Sequence, residues 1–196
     1  MEMVSMTVCV IGDPNVGKSS LLASEAQTPA APGRTNPSII PVAREDGTVV
    51  HYVDLPGAPR FKRMANRYCS SAAAFVLVYD QSDKSTFDHL DDWLSQIGDT
   101  SASVLFLVGN KADVPVGPRS VQIDDAREYA NARGMTLATV SATKTPDAVR
   151  TLFAQVRDAV RTRLEPALLP NFALATRVLL RQPSSDACKA SVLSGT

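Results

Sequence analysis

The sequence has little of what marks secreted, membrane-spanning or nucleic-acid-binding proteins. Its three cysteines lie far apart, and this odd, scattered set argues against a disulfide framework and a metal site: Cys9, Cys69 and Cys188. Twenty Lys and Arg residues balance twenty Asp and Glu residues, so no basic surface for nucleic acid is indicated. No apolar run reaches the roughly 20 residues that span a bilayer, and no signal peptide is visible. We therefore expect a globular protein of a reducing, cytoplasmic setting.

What is present suits one α/β domain with a modest extension. The chain has 196 residues, and 44% of them are hydrophobic, which is enough for a buried core. Apolar runs typical of strands alternate with segments of helical periodicity, which predicts a mostly parallel sheet with helices on both faces. We predict strands at 6–11, 39–42, 49–53, 75–80, 104–109 and 136–140, and helices at 18–26, from 85 to about 97, at 123–133 and at 147–164.

Some of these predictions carry a local detail. Asp46-Gly47 is a hairpin signal between the second and third strands, and Pro41 is expected to interrupt the second strand and weaken it. Cys9 is expected in the core, and Trp93 is expected to be partly buried beside its helix's apolar stripe.

Residues 12–19, Gly-Asp-Pro-Asn-Val-Gly-Lys-Ser, fit the phosphate-binding pattern G-x-x-x-x-G-K-[ST] between a strand and a helix. Gly12 and Gly17 permit a loop whose backbone N–H groups face an anion, and Lys18 adds a positive charge. Ser19 can bind Mg²⁺ at the start of a helix, whose dipole favours the same phosphates. The predicted phosphate-binding residues are Asn15, Val16, Gly17, Lys18, Ser19 and Ser20.

Two further motifs follow at predicted strand ends, where ligands of α/β sheets bind. Asp54, at the end of the third strand, can hold Mg²⁺ through a water, and Gly57 can present its N–H to a γ-phosphate. Lys18 and Gly57 are therefore the predicted catalytic groups.

The segment Asn110-Lys111-Ala112-Asp113 predicts guanine selection, because a carboxylate accepts bonds from guanine N1–H and its amino group, whereas adenine would leave it unpaired. The Lys111 stem can cover the base, and Asn110 can tie this loop to the phosphate loop. Residues 141–143 follow the last strand. There the Ala142 N–H can donate to guanine O6, and Ser141 and Thr143 complete the predicted base site.

These motifs, in this order, resemble a small GTPase of the Ras superfamily over about residues 5–164. Residues 60–69 and 75–80, and residues 85–94, are similar to the second switch and following elements of the Rab branch. The resemblance implies a P-loop NTPase G domain with a six-stranded sheet, GTP and GDP binding with Mg²⁺, and two switch loops that order around the γ-phosphate.

The departures from the family pattern affect the switches. Ala58 stands where the family has a glutamine that positions the attacking water, and Pro59 follows it. Slow hydrolysis is therefore expected unless a partner supplies the missing group. Ser38, or alternatively Thr35, is the expected first-switch ligand of Mg²⁺. That loop offers no obvious aromatic side chain to cover the guanine, so fast nucleotide exchange is possible.

Residues 165–196 are expected to form a partly helical tail outside a domain of residues 1–164. Its apolar part, 172–180, favours docking or partner binding over membrane contact. No terminal prenylation box or myristoylation signal is visible, and Cys188 is expected to be unmodified. The implied partners are guanine nucleotide and unidentified effector and regulatory proteins, with no nucleic acid. A peripheral membrane location through a partner stays open.

Three function classes remain. The first is a GTP-binding switch that hydrolyses GTP slowly in a regulatory, trafficking-like role. The second is a pseudo-GTPase scaffold that binds guanine nucleotide without significant hydrolysis, motivated by Ala58 and Pro59. The third, a nucleotide kinase, shares only the phosphate loop and is disfavoured by the guanine motif.

Overall fold

A computed structural model describes residues 5–29 and 36–168 of the chain. The strands are β1 (Ser5–Ile11), β2 (Ser38–Ala43), β3 (Val49–Asp54), β4 (Ala74–Asp80), β5 (Val104–Asn110) and β6 (Thr136–Thr139). The helices are α1 (Lys18–Ala26), α2 (Pro59–Lys62), α3 (Ala65–Cys69), α4 (Lys84–Asp88), α5 (Leu90–Ile97), α6 (Ile123–Ala132) and α7 (Pro146–Leu168). None of the helices within these ranges is long and apolar enough to cross a membrane.

The six strands form one sheet in the order β2-β3-β1-β4-β5-β6. Only the β2–β3 pair is antiparallel; the pairs β3–β1, β1–β4, β4–β5 and β5–β6 are parallel. All seven residues of β4 are buried, because helices cover both faces of a central parallel strand. The predicted fold class is confirmed.

Each face of the sheet has its own apolar layer. On one face, α2, α3, α4, α5 and α6 pack against β1, β3, β4 and β5, and Trp93 is fully buried there. On the other face, α1 and α7 pack against the same sheet, and Leu21, Leu22 and Phe153 are fully buried. This two-sided packing leaves the carboxyl ends of the parallel strands as the edge at which loops gather.

The prediction that Pro41 interrupts the second strand is wrong. Strand β2 is continuous over six residues, and Pro41 lies opposite His51 in the register with β3. The reason is that β2 is an edge strand, where a residue without an N–H is tolerated. The predicted hairpin turn is present: Gly47 has φ +79°, and the Thr48 N–H donates to Asp46 Oδ1 at 2.9 Å.

The helix predicted from residue 85 to about 97 is two helices. His89 ends α4 and also precedes α5, with φ −83° and ψ 0°, so the chain turns between the two. Trp93 was expected to be partly buried but is wholly buried. Helix α5 packs its apolar face against the sheet, and the indole N–H donates to Asp13 in the loop after β1.

Helix α7 begins with Pro146, whose fixed φ suits the first helical position. It continues to Leu168, past residue 164 at which the sequence suggested an end. The division into a domain of residues 1–164 and a tail stays a prediction. Thr35, residues 172–180 and Cys188 lie outside the described residues.

A buried ion network fastens the β2–β3 hairpin to α1 and α7. The Glu25 carboxylate is 1% exposed and accepts hydrogen bonds from Arg157 Nη1 at 2.6 Å and Tyr52 Oη at 2.8 Å. Arg44 also pairs with it. A carboxylate at such depth depends on these donors, so one charge joins the β2–β3 hairpin, α1 and α7.

Candidate functional site

The loop between β1 and α1 forms a tight cradle. Gly12 and Gly17 have φ +145° and +96°, and Asn15 has φ +62°, a conformation that Asn tolerates better than most residues. A Cβ on Gly12 would lie 2.1 Å from the Val78 carbonyl oxygen, and one on Gly17 would lie 2.2 Å from Asn110 Nδ2. Both glycines are therefore required by close packing as well as by backbone angle.

Lys18 is held inside this loop and is 5% exposed. Its ammonium donates to the carbonyl oxygens of Gly12 at 2.8 Å and Asp13 at 2.6 Å. Burial lowers the pKa of Lys18 to about 8, against the opposing charges of Asp54 and Asp13. A buried cation whose partners are neutral carbonyls can bind an anionic oxygen more strongly, so the loop fits a polyphosphate.

The predicted magnesium ligands meet next to the loop. The Ser19 hydroxyl donates to Asp54 Oδ2 at 2.6 Å, and Asp54 is 3% exposed. Ser38 lies opposite Asp54 in the β2–β3 register. Carboxylate and hydroxyl oxygens are donors that suit Mg²⁺, and Mg²⁺ normally completes its shell with phosphates and waters. The donor set therefore fits that ion.

The segment after Asp54 packs directly on the phosphate loop. Gly57 is buried, and a Cβ placed there would lie 2.2 Å from Pro14 N and 2.3 Å from the Asp13 carbonyl carbon. Ala58 is half-buried against the apolar layer formed by α2 to α6. Its methyl group has no hydrogen-bonding atom, so the Ala58 side chain cannot orient a water.

Asn110 joins three loops and is 2% exposed. Its Nδ2 donates to the Val16 carbonyl at 2.8 Å, and its Oδ1 accepts from the Ala142 N–H at 3.0 Å. The expected tie to the phosphate loop is thus present. The Ala142 N–H, which the sequence assigned to guanine O6, donates to Asn110 in this structure.

The remaining base-site residues lie beside Asn110. Asp113 is exposed, and a hydrogen bond from Ser141 lowers the pKa of its carboxyl, so it is an ionised acceptor at neutral pH. Thr143 is exposed, with Oγ1 3.3 Å from Ser141 Oγ. Ser20 is half-buried at the start of α1 and lines, with Ala142 and Thr143, a polar cleft between α1 and α7.

Lys111 has φ +61°, and its ammonium donates to Asp80 Oδ2 at 2.6 Å. Burial alone would raise the pKa of Asp80, but hydrogen bonds from Lys111 and Ser82 outweigh it and lower the pKa. The Lys111 ammonium is thus held at the end of β4, on the loop residue that precedes Ala112 and Asp113.

Comparison with known proteins agrees with this geometry. The family model described as "Ras family" matches residues 7–162. The chain belongs to the Ras family. It is 30% identical over 169 residues to "Ras-related protein Rab11A" of Lotus japonicus, covering 80% of this chain and 74% of the relative. It is 30% identical over 199 residues to "Ras-related protein Rab-1" of Theileria annulata, covering 94% and 90%. It is therefore a Rab-like small GTPase.

Two residues of this Ras-family chain have contacts that the sequence analysis did not anticipate. Asp80 restrains Lys111. Its position as an acidic residue at the end of an apolar strand could have indicated a role at the site. Asp13 accepts hydrogen bonds from distant side chains. It occupies a variable position of the phosphate-loop pattern, so nothing in the sequence pointed to it.

Proposed function

We propose that this Rab-like small GTPase is a switch that binds GTP and GDP with Mg²⁺, hydrolyses GTP slowly and acts in a trafficking-like regulatory step. Its switch segments would engage effector and regulatory proteins that the sequence does not name. The observation that carries the proposal is the bridge made by Asn110, which links the phosphate loop at Val16 to the base-site loop at Ala142. One nucleotide can thus contact both loops.

In this proposal, residues 15–20 hold the phosphates through backbone N–H groups and the Lys18 ammonium. Ser19, Asp54 and Ser38 would hold Mg²⁺, which supplies charge neutralisation between the β- and γ-phosphates when it is bound. The arrangement of the Ser19 hydroxyl 2.6 Å from Asp54 supports this assignment.

Asp113 selects guanine by accepting two hydrogen bonds from its N1–H and amino groups, while Lys111 covers one face of the base. Ser141 supports the ionised carboxylate, and Thr143 lies at the rim. For Ala142 to donate to guanine O6 as well, its N–H must be shared with Asn110 or released from it. A ring lacking those donors would leave the Asp113 carboxylate unpaired, and this penalty is the basis of discrimination.

Hydrolysis depends on a water that attacks the γ-phosphate in line. Lys18 and the Gly57 N–H can stabilise the charge on the phosphate oxygens, but the Ala58 side chain offers no acceptor or donor to the water. The chain therefore retains electrostatic stabilisation and lacks water positioning. Slow intrinsic turnover follows, and a regulatory partner that supplies a polar group would accelerate it.

The test begins with identifying the nucleotide released from purified protein by chromatography, followed by single-turnover GTP hydrolysis. We expect bound GDP or GTP, and hydrolysis at least about a hundredfold faster in Ala58→Gln than in the unaltered chain, the lower end of what a positioned group contributes. Ala112→Gln, at an exposed position of the base-site loop, is the matched control and should leave the rate unchanged. Equal rates in all three proteins would contradict the assigned role of position 58.

Ala58 and Pro59 also favour a second candidate, a pseudo-GTPase scaffold that binds nucleotide without significant hydrolysis. The two candidates differ in switch behaviour. A scaffold would show the same amide hydrogen exchange in residues 54–69 with GDP and with a non-hydrolysable GTP analogue. Protection that depends on the γ-phosphate would reject the scaffold.

A further inference from the structure

The Asp13 carboxylate has no assigned part in binding nucleotide, yet side chains from two other segments converge on it. Its Oδ1 accepts from Trp93 Nε1 at 2.9 Å, and its Oδ2 lies 2.6 Å from His89 Nδ1. Lys62 Nζ, on α2, is 3.9 Å from Oδ1. The phosphate loop is therefore joined through one side chain to α5 and to the helix that follows Gly57.

The backbone of Asp13 meets the nucleotide machinery directly. Its carbonyl accepts from the Lys18 ammonium at 2.6 Å. The Gly57 backbone approaches so closely that an added Cβ would lie 2.3 Å from the Asp13 carbonyl carbon. A shift of the Asp13 side chain would thus move the Asp13 carbonyl, which accepts from Lys18. It would also move the backbone surface on which Gly57 packs.

The charges around this carboxylate are unequal. Lys62 from α2 lies 3.9 Å from Asp13 Oδ1, and its Nζ is also 3.3 Å from Oδ2 of Asp92 on α5. Two carboxylates therefore share one ammonium. The Asp13 side chain is only 13% exposed, so solvent screens this imbalance weakly.

We propose that Asp13 is a positioning residue whose carboxylate, held by Trp93, His89 and Lys62, fixes the phosphate loop against α2 and thereby slows the release of guanine nucleotide. The inference rests on the proposed function, since it concerns how that nucleotide is retained.

The chain offers close controls for two of these residues. Lys84 resembles Lys62, because each ammonium lies near a carboxylate and an aromatic ring. Lys84 Nζ is 3.3 Å from Asp88 and 5.5 Å from the centroid of the Phe87 ring. Lys62 Nζ is 3.3 Å from Asp92 and 5.3 Å from the centroid of the Trp93 ring. The second of the two histidines, His51, lies half-buried on β3. Neither Lys84 nor His51 has a recorded hydrogen bond or ion pair to Asp13.

The experiment loads the full chain with N-methylanthraniloyl-GDP and follows its release against excess GDP. We expect Lys62→Met and Asp13→Asn to release the analogue about tenfold faster, the loss expected of one charge-assisted contact, and Lys84→Met to match the unaltered chain. His89→Gln should also release the analogue faster than the unaltered chain, because it loses the contact with Asp13 Oδ2, whereas His51→Gln should match the unaltered chain.

A spectroscopic readout is built into the cluster, because Trp93 is the single tryptophan of the chain. Its emission should change in Asp13→Asn and in His89→Gln, and not in Lys84→Met or His51→Gln. A merely structural Asp13 would leave release rates alike in all variants that fold, and that result overturns the proposal. Failure of the unaltered chain to bind the analogue would instead overturn the proposed function.

Discussion

Replacing Asn110 by alanine tests whether the phosphate and base loops act as one site. The substitution removes the bond to the Val16 carbonyl at 2.8 Å and the bond from the Ala142 N–H at 3.0 Å. Because Asn110 is 2% exposed, water cannot freely replace the lost partners. A buried polar group left unsatisfied costs about 1–3 kcal/mol.

One such group sets the expected size of the effect, because the Ala142 N–H can donate to guanine O6 in the bound state and only the Val16 carbonyl is left without a partner. If this loss falls on the free energy of binding, about 1–3 kcal/mol is lost, and about 1.4 kcal/mol corresponds to a tenfold change in affinity. We expect the Kd for GDP to rise at least about fivefold, which is the lower end of that range. The same substitution should lower the free energy of unfolding of the nucleotide-free protein by a smaller amount, since the free loops can relax.

The assay is equilibrium titration with N-methylanthraniloyl-GDP, paired with urea unfolding of the nucleotide-free chain. Asn131→Ala, at an exposed position on α6, is the matched control and should bind like the unaltered chain. If Asn110→Ala binds GDP as tightly as the unaltered chain while folded, the loops are not coupled through this side chain, and the reasoning is refuted.

Two further predictions concern stability. Glu25→Gln should lower the free energy of unfolding by about 2–4 kcal/mol in urea titrations, because Arg44 and Arg157 lose a buried counter-charge. Glu128→Gln, at an exposed position on α6, is the control and should change the free energy of unfolding little. Equal stability of the two variants would contradict the network's role. Asp80→Asn should cost less than about 1 kcal/mol near neutral pH, since its pair with Lys111 is partly solvated. The folded-state pKa of Asp80 lies below 3.8, so this contribution is present above about pH 4 and is lost at lower pH. A difference from the unaltered chain that grows on acidification would contradict the pairing.

Sequence reasoning located the strands, most helices and the nucleotide motifs because their signals are local. An apolar run such as 75–80 or a glycine at a turn needs only its neighbours to be interpreted. Predictions that depend on where a segment sits were less secure. Pro41 was expected to break its strand, but an edge position makes the missing N–H harmless. The break at His89 lies within an unbroken apolar stripe, so periodicity could not reveal it.

The candidate site divides in the same way. The pattern of residues 12–19 named Lys18 and Ser19 because their chemistry is tied to fixed spacing. The choice of Ser38 as a metal ligand was open, and its place opposite Asp54 comes from strand pairing, a long-range property. The contacts of Asp13 bridge 76 and 80 residues to His89 and Trp93, a separation over which no sequence pattern acts.

The sequence by itself determined the chemistry that we propose for this protein: a loop to hold phosphates, a carboxylate to select guanine, and a methyl group where the family pattern has a water-positioning glutamine. These are properties of single residues at short, fixed separations. Only the tertiary structure decided which of those groups meet. Parallel strand pairing carries residues about a hundred positions apart to one sheet edge, and it joins Asn110 to Val16 and Ala142.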